Sequence, residues 1–217
     1  MLRFWIILFI FFMPAFVSHA QNIRLSCLEA VNSSQTINAE YLFNSSLTCL
    51  KEGKTFEGTY LLNLGQMRSM TDLSFLKPLK EVDQQAAADL YALLYYRFGG
   101  PGDYEVYRDE DLYNSLVEKL EAWNPAFDAK YNPGWEYEAD VNDYEGNLKK
   151  FKTIRFKQMR EYHLLYSNEE YYKLTQKLNE ISRKNNNKFQ VGTKAYEAYS
   201  DLKTRKSELR KKILSGL

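Results

Sequence analysis

Residues 123–137 read WNPAFDAKYNPGWEY, and this stretch separates two kinds of helical pattern. It gathers Trp123 and Trp135, Pro125 and Pro133, and Tyr131 and Tyr137. Proline removes a backbone donor, and Asn and Gly favour turns, so no continuous helix runs through it. Before it lie short apolar helical patterns, and after it lie long lysine-rich ones. The fold class that follows is all-α: a bundle of six or seven helices built from helical hairpins, with an irregular aromatic loop in the middle.

Upstream, residues 36–52 place Ile37, Tyr41, Leu42, Leu47, Cys49 and Leu50 at helical spacing, and Gly53 closes the run. Residues 55–69 repeat the pattern with Phe56, Tyr60, Leu61, Leu64 and Met67. The short Glu52-Gly53-Lys54 connection makes the two an antiparallel hairpin. Gly58 and Gly65 lower the helix propensity of the second and mark where the two backbones come close. A third helix is predicted over 82–98, with Ala87, Leu90, Tyr91, Leu94 and Phe98 on one face and Gly99-Gly100-Pro101-Gly102 as its stop. A fourth starts at Asp109, a good N-cap, and carries Leu112, Leu116, Leu120 and Trp123.

Downstream, 141–166 reads as a long amphipathic helix with Tyr144, Leu148, Phe151, Met159, Tyr162 and Leu165 or Tyr166 on its stripe. A second follows Asn168 with Tyr171, Leu174, Leu178 and Ile181, ending before Asn185-Asn186-Asn187. The last, 193–214, has a thin stripe interrupted by Lys206, and it would lie on the bundle, extend into a dimer, or fray. The expected division is a signal peptide at 1–20, helical hairpins with an acidic aromatic segment at 21–140, and long basic helices at 141–217, the last two forming one packed domain.

The first 20 residues have a positive start at Arg3, an apolar run from Phe4 to Phe12, and Ser18-His19-Ala20 as a small-residue cleavage site. That pattern predicts a Sec-type signal peptide cut after Ala20 and a periplasmic or secreted protein. The apolar run is too short for a bilayer span, and no later stretch is apolar enough, so no stable membrane insertion is expected. Two cysteines, Cys27 and Cys49, lie close together in the chain. In an oxidising compartment they most simply form one disulfide; the competing reading is two buried thiols, since Cys49 sits on an apolar helix face.

Charge is balanced overall and strongly uneven along the chain. Residues 101–145 hold 3 basic and 13 acidic side chains, and residues 146–217 hold 18 basic and 7 acidic. Such polarity means either a surface for a charged partner or two segments that face each other. Nucleic acid is not an expected partner, because the whole chain is nearly neutral and Glu197, Asp201 and Glu208 interrupt the basic end.

The chemistry-bearing motifs are few. His163 is the single histidine after the leader and sits mid-helix, where a structural role is expected. No Cys/His metal spacing, nucleophile elbow, phosphate loop or dinucleotide fingerprint occurs, so neither a metal nor a cofactor is expected. The Asp109-Glu110-Asp111 run is explained by helix capping. Carboxylates leave one enzymatic alternative open, a cell-wall or glycan hydrolase using Glu136, Glu138 and Asp140 beside Trp135 and Tyr137. The 17 tyrosines suggest instead a contact surface, since Tyr and Trp bury apolar area while keeping a polar tip. The candidate partner-binding set is therefore Tyr131, Trp135, Glu136, Tyr137, Glu138 and Asp140. The same aromatic side chains would serve equally as an internal plug.

The hairpin at 36–69, with its EGK turn and Gly58 after it, resembles one unit of a tetratricopeptide-type helical repeat, although no second copy follows at a fixed period. The run from Leu61 through Gly65-Gln66-Met67-Arg68 to Asp72, followed by WNP and NPGWEY, resembles small exported bacterial helical proteins. Some proteins of that kind are immunity proteins of contact-dependent or type VI secretion systems. The resemblance implies a non-catalytic protein that binds a secreted toxin or effector. A basic protein partner would suit the acidic segment, and dimerisation through the C-terminal helices is the structural alternative.

Overall fold

The computed structural model describes residues 25–80, 85–86, 88–92, 102–125, 131–139, 144–185 and 188–216. The predicted signal peptide, its cleavage site and Asp140 lie outside these residues. The first described helix is α1 (Cys27–Asn32), opened by a capping box in which Ser26 accepts from the Glu29 amide and Glu29 accepts from the Ser26 amide. Helix α2 (Ala39–Lys51) is capped by Asn38, and Gly53 turns the chain with a φ of 76° into α3 (Thr55–Phe75). A disulfide joins Cys27 to Cys49 with the Cα atoms 5.0 Å apart, fastening α1 to the end of α2.

Helix α3 is the centre of the molecule. Its buried residues include Gly58, Leu61, Leu62, Leu64, Met67, Arg68, Thr71, Asp72 and Phe75, which lie all round the helix rather than on one stripe. A helix buried on every side must be wrapped by others, and α1, α2 and three later helices pack against it. The two glycines do mark close approach. A Cβ on Gly58 would fall 2.6 Å from the Leu50 side chain and 3.2 Å from its backbone nitrogen, and one on Gly65 would fall 3.1 Å from the Phe43 ring. Sequence reading ends this helix at Ser69, but it continues to Phe75. Burial carries it on, with the Thr71 hydroxyl donating to the Met67 carbonyl and Asp72 lying beside Arg68 one turn earlier.

Strand β1 (Leu76–Pro78) leaves α3 and pairs antiparallel with β2 (Tyr137–Ala139), placing Lys77 opposite Glu138. The central stretch is therefore not wholly irregular. Trp135-Glu136-Tyr137-Glu138 alternates aromatic and acidic residues, the period-two signature of a half-buried strand. Of the helix predicted at 82–98, residues 85–86 and 88–92 are helical and the rest lie outside the described residues. A short helix that the sequence reading did not anticipate, α4 (Tyr104–Arg108), is capped by Asp103 and precedes α5 (Glu110–Ala122), capped by Asp109. Leu116, Leu120 and Trp123 are buried as expected, whereas Leu112 is exposed.

The C-terminal helices are α6 (Tyr144–Ser167), α7 (Glu169–Lys184) and α8 (Lys194–Leu214). Helix α6 packs along α3, and one continuous core runs from Cys27 to Tyr172. Helix α8 has no fully buried residue, yet it lies on α6 and α7, with Leu209, Ile213 and Leu214 partly buried against the core. Lys206 does not break its seam. Its ammonium lies 4.8 Å from the centroid of the Tyr171 ring, and burial, helped by nearby Arg210, lowers its pKa to about 8. Among the described residues the only strands are β1 and β2, and no helix is long and apolar enough to cross a membrane.

Candidate functional site

The aromatic stretch is held from inside. The Arg68 Nε donates to the Tyr131 hydroxyl at 2.9 Å, and its Nη1 donates to the Tyr144 hydroxyl at 2.9 Å. Tyr131 in turn donates to Asp72 Oδ2, and Asp72 Oδ1 lies 3.7 Å from Arg68 Nε. Arg68 and Asp72 are fully buried. Burial pushes the Asp72 carboxyl up to about 6, against the opposing pull of Arg68 and of the Tyr131 hydrogen bond. Burial pushes the Tyr131 and Tyr144 hydroxyls up as well, so both remain neutral. A charged pair inside a core is stabilising only when its remaining hydrogen-bonding capacity is met, and the two tyrosines contribute to that here.

Further ties fix the same segment. Trp135 donates its indole N–H to the Leu76 carbonyl at 3.3 Å, and its ring lies 6.3 Å from that of Tyr91. Tyr91 donates to the Pro133 carbonyl at 3.1 Å, Tyr137 to the Tyr131 carbonyl at 2.9 Å, and Asn38 to the Asn132 carbonyl at 3.0 Å. Gly134, with a φ of 109°, makes the turn that carries the chain from Tyr131 to Trp135. Trp123, at the other end, donates to the Ser34 carbonyl at 3.1 Å.

The predicted set is thus divided by depth. Tyr131 and Trp135 are each 8% exposed and turn inward, Tyr137 is half-buried, and Glu136 and Glu138 are exposed. The outer side of the segment forms an open groove of about 640 Å³ flanked by exposed Leu79. A neighbouring hollow of about 390 Å³ is lined by Glu40, Glu136, Trp135 and Tyr91, so Glu40 rather than Glu138 shares a hollow with Glu136. Both are exposed. The Nδ1 of His163 donates to the Tyr107 carbonyl at 2.8 Å while its ring stacks on Tyr113 at 4.2 Å. No group of three or more His, Cys, Asp or Glu side chains suited to a metal occurs among the described residues.

Helix α5 presents the acidic segment to solvent. Glu110, Asp111, Glu118 and Glu121 are exposed, and at 3.6 residues per turn they fall within an arc of about 100° that contains no basic residue. The buried Leu116 and Leu120 lie on the other side. Among the described residues none of these four carboxylates has an ion pair within 4.0 Å, and the ion pair linking the acidic and basic segments has the opposite sense, Arg108 to Glu169. The basic helices meet this region differently: Lys152 donates to the carbonyls of Glu121 and Trp123, closing the end of α5.

A third concave feature lies between α3, α6 and residues 88–92. This cleft of about 330 Å³ is lined mainly by Phe43, Met67, Met70, Leu73 and Tyr91, with Gln66, Ser69 and Arg155 buried among them. Sequence reading missed Gln66 and Arg155. The signal for Arg155 was its position four residues after Phe151 and four before Met159, which puts it on the buried side of α6.

No protein-family model, curated protein or solved structure matches the chain significantly.

Proposed function

We propose that this chain is an exported protein-binding protein that acts by occupying a basic partner, in the manner of an immunity protein neutralising a secreted toxin, and that it carries out no reaction itself. The observation that supports this reading is the acidic arc of α5, which the basic C-terminal helices leave without ion pairs among the described residues. Carboxylates clustered on one rigid face raise the local concentration of a cationic partner and set its orientation during approach. Glu136 and Glu138 are the exposed members of the aromatic segment and would add to the same electrostatic recognition. Tyr131 and Trp135 would act indirectly, by keeping that segment rigid. The Cys27–Cys49 bond suits an oxidising compartment, which is the compartment the leader pattern implies.

The test is affinity capture from an extracellular or periplasmic extract of the source organism, run with the wild-type protein and with the triple variant Asp111→Lys, Glu118→Lys, Glu121→Lys. The expected result is a basic protein retained by the wild type and lost by the variant, with both baits equally folded by circular dichroism. Retention of the same protein by both baits, or of none by either, would overturn the reading.

A further inference from the structure

The cleft between α3, α6 and residues 88–92 contains two buried side chains whose hydrogen-bonding capacity is not met by the described residues. Arg155 is 4% exposed. Its Nε donates to Asn63 Oδ1 at 2.6 Å and its Nη1 to Gln158 Oε1 at 3.0 Å, but its Nη2 has no partner among them. Neither amide atom of Gln66, which is 9% exposed, has a partner there either. Arg68 meets a carboxylate and two tyrosines, whereas Arg155 meets uncharged groups alone, the Asn63 and Gln158 amides, the Tyr107 hydroxyl and, at 5.8 Å, the Tyr162 ring, and no acidic oxygen of the described residues lies within 4.0 Å of it. Buried polar groups are almost always hydrogen-bonded and buried charges almost always paired, so two exceptions lining one cleft are a specific signal.

The rest of the lining is mostly apolar, with Ser69 and Gln158 as its other polar members. Phe43, Met67, Met70, Leu73 and Tyr91 surround the two polar groups, and Met70, 38% exposed, stands where the cleft meets solvent. The volume of about 330 Å³ is at the small end of the range for ligand pockets, which typically combine apolar walls with a few fixed polar groups. From this juxtaposition we infer that the cleft is a binding site for a small amphiphilic carboxylate: an apolar chain with a hydroxyl or amide group beside its acid end. The carboxylate takes Arg155 Nη2 in a charge-assisted hydrogen bond. The neighbouring group of the ligand meets Gln66, whose side chain offers a donor and an acceptor together. The apolar chain lies against Phe43, Met67 and Leu73. Asn63, itself donating to the Thr59 carbonyl at 2.7 Å and to the Tyr107 hydroxyl at 3.1 Å, holds the guanidinium in place. This site shares no residue with the acidic face of α5 and does not rest on the protein-binding reading.

Isothermal titration calorimetry of the full chain with 3-hydroxyoctanoate, octanoate and octanol tests the inference. Saturable binding is expected for 3-hydroxyoctanoate, with octanol weaker by about tenfold or more for want of the charge-assisted bond. Gln66→Leu should bring 3-hydroxyoctanoate to the level of octanoate, and Met70→Trp should abolish binding of both by filling the mouth. Met70 is partly exposed, so its variant remains informative even where Gln66→Leu fails to fold. No saturable binding, equal binding of octanol, or binding unchanged in a folded Met70→Trp protein would overturn the assignment.

Discussion

The Arg68 guanidinium lies 3.9 Å from the centroid of the Tyr131 ring and donates its Nε to the hydroxyl of that same residue, 63 positions later in the chain. Tyr131 passes the connection on to Asp72, so a single phenol joins the two buried charges of α3 and ties the aromatic stretch to the central helix.

Tyr131→Phe removes the bridging hydroxyl and leaves both charges buried. Stranding groups of this kind costs about 1–3 kcal/mol. For a chain of this size that corresponds to a fall of roughly 2–12 °C in thermal midpoint, read by circular dichroism.

Asp72 makes the fold respond to pH in an unusual direction. Its folded pKa, about 6, is raised above the ordinary value of 3.8, so the native state holds a proton that the unfolded chain has released. The stability contributed by this group is fully present below about 3.8 and is lost as pH rises through about 6. Urea midpoints of the wild type and Asp72→Asn, compared from acid to neutral pH, should show the wild type's advantage shrinking as the pH rises through that window.

Trp135→Ala is expected to destabilise the protein by about 3–5 kcal/mol, as removal of a buried aromatic side chain does. Its indole is packed near Tyr91 and bonded to Leu76, so the loss should appear in calorimetry of the isolated protein. A midpoint unchanged by the substitution would mean that the ring is not packed as described.

The disulfide holds α1, a helix of only 6 residues, on the hairpin. Replacing Cys27 and Cys49 by Ser should cost about 3 kcal/mol for a loop of this length, or roughly 6–12 °C in midpoint. Reductant should produce the same shift in the wild type and none in the double variant.

The sequence made some of this arrangement legible and hid the rest for physical reasons. The α2–α3 hairpin was readable because Gly53 supplies the turn and Gly58 and Gly65 the close approach. The N-cap at Asp109 was readable because capping is local chemistry, and the helix starts read near Asn168 and Thr193 fall on residues that also prove to be N-caps. The inward turn of Tyr131 and Trp135 was not, since an amphipathic ring suits an interface and an interior equally well. Strand β2 escaped notice because its alternation spans only four residues and its partner β1 lies about 60 residues earlier. Arg68 and Arg155 escaped for a different reason. A charged residue on an apolar stripe looks like an interruption until the tyrosines or amides that receive it come from other elements.

The central claim is that the acidic face of α5 recruits a basic protein, and the association rate of the captured partner, measured by surface plasmon resonance at low and at high salt, tests it most directly. The account predicts a rate that falls about tenfold or more as salt is raised for the wild type, and a slow, salt-insensitive rate for the Asp111→Lys, Glu118→Lys, Glu121→Lys variant. A rate indifferent to salt, or one that the charge reversal leaves unchanged, would contradict it.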